Sequence, residues 1–347
     1  MILVLLLAAA IWFGGGWMNA PREARATFLG LLYIAVLGIQ VAFPETNPLR
    51  VATGGSAAAW LILGGFIALF LIYRQVLVML RSKALVAQTA DSAPKSAAFS
   101  DTELNRYARH IILREVGGGG QRALKDASVL VVGAGGLGAP VLQYLAAAGV
   151  GTIGVIDDDK VENANLQRQV IHADADIGTP KVFSAQAHME AQNPFVTVRP
   201  YHRRLTGDIA ADLIGDYDLV LDGTDNFDTR YLVNAACVAA GKPLVSGALS
   251  QWEGQMSVFD PAKGAPCYQC IFPEAPSAHL APSCAEAGVI GPLPGVVGSM
   301  MAVEAIKLIT GAGTPARGQL LIYDALYGEN RTIQIARRAD CPTCGSA

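Results

Sequence analysis

Charge is scarce in this chain. Asp, Glu, Lys and Arg make up 16% of its 347 residues, against 52% hydrophobic ones, and the mean hydropathy is +0.36. That balance does not suit a chain that meets water everywhere, so part of it is expected in lipid. Basic runs are missing, which argues against nucleic acid as a partner. Six of the 26 Lys/Arg and two of the 29 Asp/Glu precede Ala84, a balance of +4; the remainder balance at −7, giving the net −3. Met1 to Trp17 carries no charged side chain, so it lacks the basic n-region of a signal peptide, and it has no small-residue cleavage site. Acids and histidines are absent from the apolar stretches, which leaves no transport pathway through them. The five histidines are scattered and form no close pair, so they read as structural or surface residues. There is no internal repeat.

Three apolar stretches, Met1 to Trp17, Thr27 to Phe43 and Ser56 to Tyr73, are each near the lower length limit of a membrane span. They predict transmembrane helices over about 1–18, 27–43 and 56–73, with a buried helical hairpin in a soluble protein as the alternative. Arg22 and Arg25 lie between the first two, Arg50 alone between the second and third, and Arg74, Arg81 and Lys83 after the third. The positive-inside bias then puts the N-terminus outside and everything after the third span in the cytoplasm. The expectation is a multi-pass anchor in the inner (cytoplasmic) membrane, in contact with lipid. Residues 1–83 form this segment, 84–99 a small, polar linker, and 100–347 a separate domain in the cytoplasm.

That domain is organised around Val129 to Lys181. Val129-Leu-Val-Val reads as a strand, followed by Gly133, Gly135 and Gly138 in Gly-x-Gly-x-x-Gly spacing and then an Ala-rich helix. Glycines admit a phosphate close to the backbone, and the helix start presents unpaired N–H groups. A second strand, Gly151 to Ile156, ends in Asp157-Asp158-Asp159, where an acid can accept hydrogen bonds from a ribose. The glycine motif alone fits an NAD or FAD fold, or merely tight strand–helix packing. Asn165, Arg168 and Lys181 follow, and the two cations shift the balance toward a ligand richer in phosphate, such as ATP.

The alternation continues. Ser100-Asp-Thr-Glu103 predicts a capping box opening a helix to about Leu113, which carries Arg106, Arg109 and Arg114; a solvated face is the bland reading of these arginines. Gly117 to Gly120 reads as a flexible connection. Helices are expected over Thr179–Gln192, Gly207–Ile214 and within Pro292–Ile309, and strands over Phe195–Arg199, Asp218–Asp222, Leu244–Leu249, Gln255–Asp260, Leu320–Asp324 and Arg331–Ile335. The fold class is α/β: a Rossmann-like doubly wound sheet with an antiparallel C-terminal extension. Asp225 follows the strand ending at Asp222, where ligands bind in such sheets, and could hold Mg²⁺ against phosphates. Equally it could be a turn former or the N-cap of a helix from about Thr229.

Four of the six cysteines form two Cys-x-x-Cys pairs, Cys267/Cys270 and Cys341/Cys344. Together they supply the four thiolates of a closed, structural Zn²⁺ knuckle. A redox pair or plain buried thiols are the alternatives. Cys284 lies outside the pairs in a Pro/Gly-rich loop, as either a nucleophile or an unreactive thiol. Cys237, in an apolar helix, reads as core.

Taken together, Arg106-Tyr-Ala-Arg109, Gly133-Ala-Gly-Gly-Leu-Gly138, Asp157-Asp-Asp159, Asn165-Leu-Gln-Arg168-Gln, Lys181, Thr224-Asp-Asn226 and both cysteine pairs resemble the ubiquitin-activating-like adenylyltransferases, the HesA/MoeB/ThiF group. The likeness covers about Ser100 to the C-terminus and leaves the membrane segment unmatched. Gly247-Ala-Leu-Ser-Gln-Trp-Glu-Gly-Gln255 is most similar to the molybdopterin-synthase adenylyltransferase (MoeB) branch. The resemblance implies ATP, Mg²⁺ and structural Zn²⁺ as cofactors. It places Gly136 in the nucleotide loop, Asp157 on the ribose with Asp159 in the same run, and Asn165, Arg168 and Lys181 on the phosphates. Asp225 binds Mg²⁺, with Asn226 beside it. Arg109 reaches into a partner subunit's site, which implies a homodimer, and Cys284 matches a loop cysteine that forms a covalent sulfur link in some relatives. The implied reaction joins AMP to the terminal glycine of a ubiquitin-like sulfur carrier with a Gly-Gly tail, releasing pyrophosphate, in molybdenum cofactor biosynthesis. A thiamine-pathway carrier is the near alternative. A membrane-anchored NAD-dependent oxidoreductase and a non-enzymatic scaffold are the distant ones; neither explains Arg168, Lys181 and the Thr-Asp-Asn turn.

Overall fold

The computed structural model describes residues 2–18, 21–54, 56–66, 69, 73, 98–276 and 288–345. It divides into two compact units, Met1–Ser92 and Ala93–Ala347. Arg74, Arg81, Lys83, nearly all of the expected linker and Cys284 lie outside the described residues.

In the first unit the helix Ala24–Ala42 is long and apolar enough to cross a bilayer, whereas Leu3–Trp17 and Ala57–Phe66 are shorter. At 1.5 Å per residue Leu3–Trp17 reaches only about 22 Å, short of a hydrocarbon core of about 30 Å. Among the described residues the expectation of three spanning helices is therefore corrected to one of full length in this unit; residues 67, 68 and 70–72 of the third stretch lie outside the described residues. Val4, Val36 and Trp60 from the three helices meet in a small buried cluster. Gln40 is buried beside it, where its amide donates to the Arg50 carbonyl (3.0 Å) and to Thr53 Oγ1 (2.8 Å).

The second unit is built on one eight-stranded sheet in the order β3-β2-β1-β4-β5-β6-β7-β8. The strands are β1 (Ser128–Val132), β2 (Thr152–Ile156), β3 (Thr197–Tyr201), β4 (Leu219–Asp222), β5 (Leu244–Leu249), β6 (Glu253–Phe259), β7 (Gln319–Asp324) and β8 (Glu329–Gln334). The first five pair in parallel, and β5 to β8 pair antiparallel. Continuous apolar runs suit the parallel half because helices cover both of its faces. Alternation sorts the side chains: Val129 and Val131 of β1 join one core, Leu130 and Val132 the other. The first core takes in the buried stripes of helices Gly138–Ala148, Lys181–Gln192 and Pro292–Thr310, the second those of Gly207–Gly215 and Phe227–Ala240. Pro292–Thr310 also has the length and apolarity of a membrane span, but Leu293, Val297, Met301 and Ala305 bury one side of it in this core.

Two local expectations change. The capping box forms, with Ser100 Oγ accepting from Glu103 N, but the helix stops at Arg106 and restarts at Ala108. The break lies at Tyr107, whose ring is buried; its hydroxyl accepts from Asn193 Nδ2 at 2.8 Å. Gly117 to Gly120 is not a flexible connection but the first turn of helix Gly117–Asp126. Leu124 anchors that helix in the core, and the bare backbone at Gly120 packs close to Thr310.

Candidate active site

Strand order reverses between β1 and β4, since β2 and β3 run outward on one side and β4 and β5 on the other. Their C-terminal ends therefore open a crevice at the switch point of the sheet. Two turns meet there. Gly133 leaves β1 at φ +93°, a conformation glycine adopts without strain, and a Cβ on it would stand 3.4 Å from Gly223, at the end of β4. Gly138 starts the following helix so close to the turn that a Cβ would fall 1.9 Å from the Gly133 carbonyl oxygen. No side chain caps that helix; its Ala139 N–H is bound to the Gly135 carbonyl (2.8 Å) and Pro140 has none, which leaves the Gly138 amide at the helix start for an anion.

Asp157 supports the glycine turn directly. Its Oδ2 accepts from Ala134 N (2.8 Å) and its Oδ1 from Asp159 N (2.8 Å). An ionised carboxylate has about four acceptor sites, so capacity for a ribose hydroxyl remains. Lys181, buried at the start of helix Lys181–Gln192, pairs with Asp159 Oδ2 at 2.8 Å. Arg168 donates to Asn165 Oδ1 (3.2 Å) and to the Ala164 carbonyl (3.2 Å). Its Cγ lies 3.8 Å from where a Cβ on Gly136 would be, beside the turn.

Beyond β4, Asp222 is buried and binds the Thr224 amide (3.0 Å) and hydroxyl (2.7 Å). Arg230, also buried, lies 3.8 Å from Asp222 and donates to the Thr224 carbonyl. This pair fixes the turn bearing Asp225 and Asn226. The helix cap is Asn226, whose Oδ1 accepts from Thr229 N at 2.9 Å, and the helix begins at Phe227. Asp225 is thus spared that task and projects into solvent at the crevice. One carboxylate plus substrate phosphates is a donor set that suits Mg²⁺.

Arg109 is exposed on the short helix Ala108–Ile111; among the described residues no hydrogen bond or ion pair ties it to the two turns. Three further residues at the turns were given no role from the sequence, although Gln169 closes the Asn165–Gln169 motif. Gln169 is buried with its Nε2 3.7 Å from where a Cβ on Gly135 would be, and its Oε1 has no partner among the described residues. The others are Arg230 and His172. Both are single polar residues whose burial depends on what packs against them, which one sequence does not display.

The cysteines form a second centre. Cys267, Cys270, Cys341 and Cys344 are buried, unbridged and within 4.8 Å of one another. Sulfur separations are 3.9 Å for Cys267–Cys270, 3.6 Å for Cys267–Cys341 and 3.4 Å for Cys270–Cys344. A tetrahedron with metal–sulfur bonds of about 2.3 Å has edges of about 3.8 Å, so the set fits Zn²⁺. Burial raises the Cys341 thiol's pKa, but the Cys344 and Thr343 amides more than offset this and bring it to about 7. The Arg338 amide also faces Cys270 Sγ at 3.4 Å. Cys237 is buried in the second core, which pushes its thiol well above the ordinary range, in keeping with an unreactive core residue.

The ThiF family pattern matches residues 107–343. The sulfur carrier protein adenylyltransferase of Thermus thermophilus is 53% identical over 247 residues, covering 70% of this chain and 91% of that protein. The SAMP-activating enzyme E1 of Haloferax volcanii is 50% identical over 244 residues, covering 70% of this chain and 90% of that protein. Among solved structures, E. coli MccB crystallised with AMPCPP and MccA has a TM-score of 0.62 at 23% identity, covering 71% of this chain and 75% of that chain. At that identity the likeness is one of fold.

Proposed function

The chain belongs to the ThiF family of adenylyltransferases, and on that premise we propose that it activates the C-terminal glycine of a ubiquitin-like sulfur carrier with a Gly-Gly tail. The observation that carries this is the meeting of the glycine turn and the Thr224–Asn226 turn at one crevice, with Lys181 and Arg168 alongside. A carrier carboxylate oxygen attacks the α-phosphorus of ATP. A carboxyl–phosphate bond forms, the bond to the bridging oxygen breaks, and pyrophosphate leaves. The carboxylate is already a nucleophile, so no base is required; the demands are in-line placement and neutralisation of the departing charge.

The glycine turn and the Gly138 amide that opens the next helix receive the phosphates, and Asp157 the ribose. Asn165 orients Arg168, and Arg168 and Lys181 stabilise negative charge as it moves to the leaving group. Asp225 would hold Mg²⁺, which adds positive charge at the phosphates when bound, and Asn226 keeps the Asp225 turn in place by capping the next helix. Arg109 serves a neighbouring subunit's crevice in a homodimer. The cysteine set would hold a structural Zn²⁺. The molybdopterin-synthase small subunit is our first choice of carrier, supported by the β5–β6 hairpin segment Gly247–Gln255; the thiamine-pathway carrier is the second. The first unit holds the enzyme at the cytoplasmic membrane through Ala24–Ala42, with the catalytic unit in the cytoplasm.

Carrier-dependent pyrophosphate exchange tests this. Asp225→Ala is expected to abolish exchange at an unchanged unfolding temperature; near-normal exchange would refute the assignment. Mass spectrometry of candidate carriers incubated with ATP then identifies which one gains AMP.

A further inference from the structure

Among the described residues the catalytic unit has one buried histidine, and the reaction just described does not use it. His172 is 7% exposed, follows the Arg168 segment and packs beneath the glycine turn. Its Nε2 lies 3.0 Å from the Ala134 carbonyl oxygen and its Nδ1 2.8 Å from Ser184 Oγ. Ser184 stands one helical turn after Lys181, and its hydroxyl is also 2.8 Å from Asp176 Oδ2. Asp176 in turn accepts from Ala173 N at 3.1 Å. A connected row therefore runs from the helix that bears Lys181 to the turn that would receive the phosphates.

We propose that His172 is a positioning residue for nucleotide binding: it holds the Ala134 peptide of the glycine turn and links that turn to the Lys181 helix through Ser184. The inference rests on the nucleotide reading above. A carbonyl oxygen only accepts, so the contact at 3.0 Å requires a hydrogen on Nε2. The Ala134 amide is bound at the same time by Asp157 at 2.8 Å. The two peptide groups that flank the Ala134 Cα are thus each held, one through its N–H and the other through its C=O, and neither can rotate without losing a hydrogen bond. Burial draws the imidazole's pKa below its ordinary value and Lys181 adds to this; the Ala134 carbonyl, Asp157 and Asp176 act the other way without reversing it. The Ser184 hydroxyl has one hydrogen and two neighbours, Nδ1 and Asp176 Oδ2, so the hydrogen that defines the ring's role is the one on Nε2.

The position of the donor atom makes the inference testable. Gln at this position can place an N–H near the site of Nε2, whereas Asn reaches only the Nδ1 end. In pyrophosphate exchange with the full-length chain, His172→Asn is expected to raise KM for ATP about tenfold with kcat little changed. His172→Gln is expected to recover most of that loss. Equal KM values for wild type and His172→Asn, or equal losses in both variants, would overturn the role. Should His172→Asn fail to fold, ¹H–¹⁵N spectra of histidine-labelled wild type decide the matter. A hydrogen on Nε2 is expected, and a ring protonated only at Nδ1 would overturn the inference. Wild-type protein that binds NAD in preference to ATP would instead refute the nucleotide reading.

Discussion

Lys181 and Asp159 form a pair of unequal members, and the inequality predicts unequal mutants. The lysine side chain is 6% exposed and the aspartate 67%. Asp159→Asn strands an ammonium group away from water. Breaking a fully buried pair in this way costs about 3–5 kcal/mol, and solvent access from the aspartate side reduces that to about 1–3 kcal/mol. In a unit of this size the unfolding temperature should fall by about 2–10 °C. Lys181→Met leaves Asp159 free in water and should cost less than about 1 kcal/mol. Activity should rank the other way: Lys181→Met removes a charge that stabilises the leaving group and should slow exchange by about 10²-fold or more. ATP supplies the anion that Asp159→Asn has lost. It should therefore raise that variant's unfolding temperature by more than the wild type's, where saturation at a hundred times Kd adds about 2.7 kcal/mol. Thermal scans with and without ATP test all of this. A Lys181→Met variant less stable than Asp159→Asn, or no added rescue by ATP, would refute the reasoning.

Metal analysis of purified protein should give one zinc per chain, and Cys344→Ser should lose it together with stability; a folded sample free of zinc would remove the assignment. Glu103 and Lys125 lie 2.6 Å apart, both largely buried. Burial raises the Glu103 carboxyl's pKa, but hydrogen bonds from Lys125 and Ser100 outweigh it and hold the group below its ordinary range. Its contribution is therefore present above the unfolded-state pKa and lost as pH falls through the folded one. Glu103→Gln should cost about 2–4 kcal/mol at pH 7 and weaken the pH dependence of stability in the acid range, as urea titrations from pH 7 to 3 would show. Carbonate-washed membranes should retain the full chain; complete release would refute the anchor.

The parallel half of the sheet was readable because its signals are local. Val129 to Val132 is apolar at every position, glycines follow at once, and an acid ends the next strand. The cysteine pairs were readable because ligand spacing is a short-range property. Other features depend on what packs against them. Gly117 to Gly120 looks like a loop by propensity, yet tertiary contacts through Leu124 and Thr310 make it helical. Pro292–Thr310 and Ala24–Ala42 are alike in composition, and only burial separates them. Asp225 reads equally as a Mg²⁺ ligand or as the cap of the helix after β4, and only the bond from Thr229 N to Asn226 Oδ1 removes the second reading. His172 could not be distinguished from a surface histidine before Ala134 and Ser184 were found at its two nitrogens.

The four-sulfur centre joins stretches of chain 74 residues apart. Between them lie the long core helix Pro292–Thr310 and the β7–β8 hairpin, so ligation closes all of these into one ring. During synthesis that ring stays open until Cys341 and Cys344 have emerged. The nucleotide crevice, with its turn residues ending at Arg230 and its parallel strands at Leu249, is complete in sequence well before then. With Zn²⁺ as the proposed occupant, zinc supply would govern the closing of that ring and not the synthesis of the crevice residues.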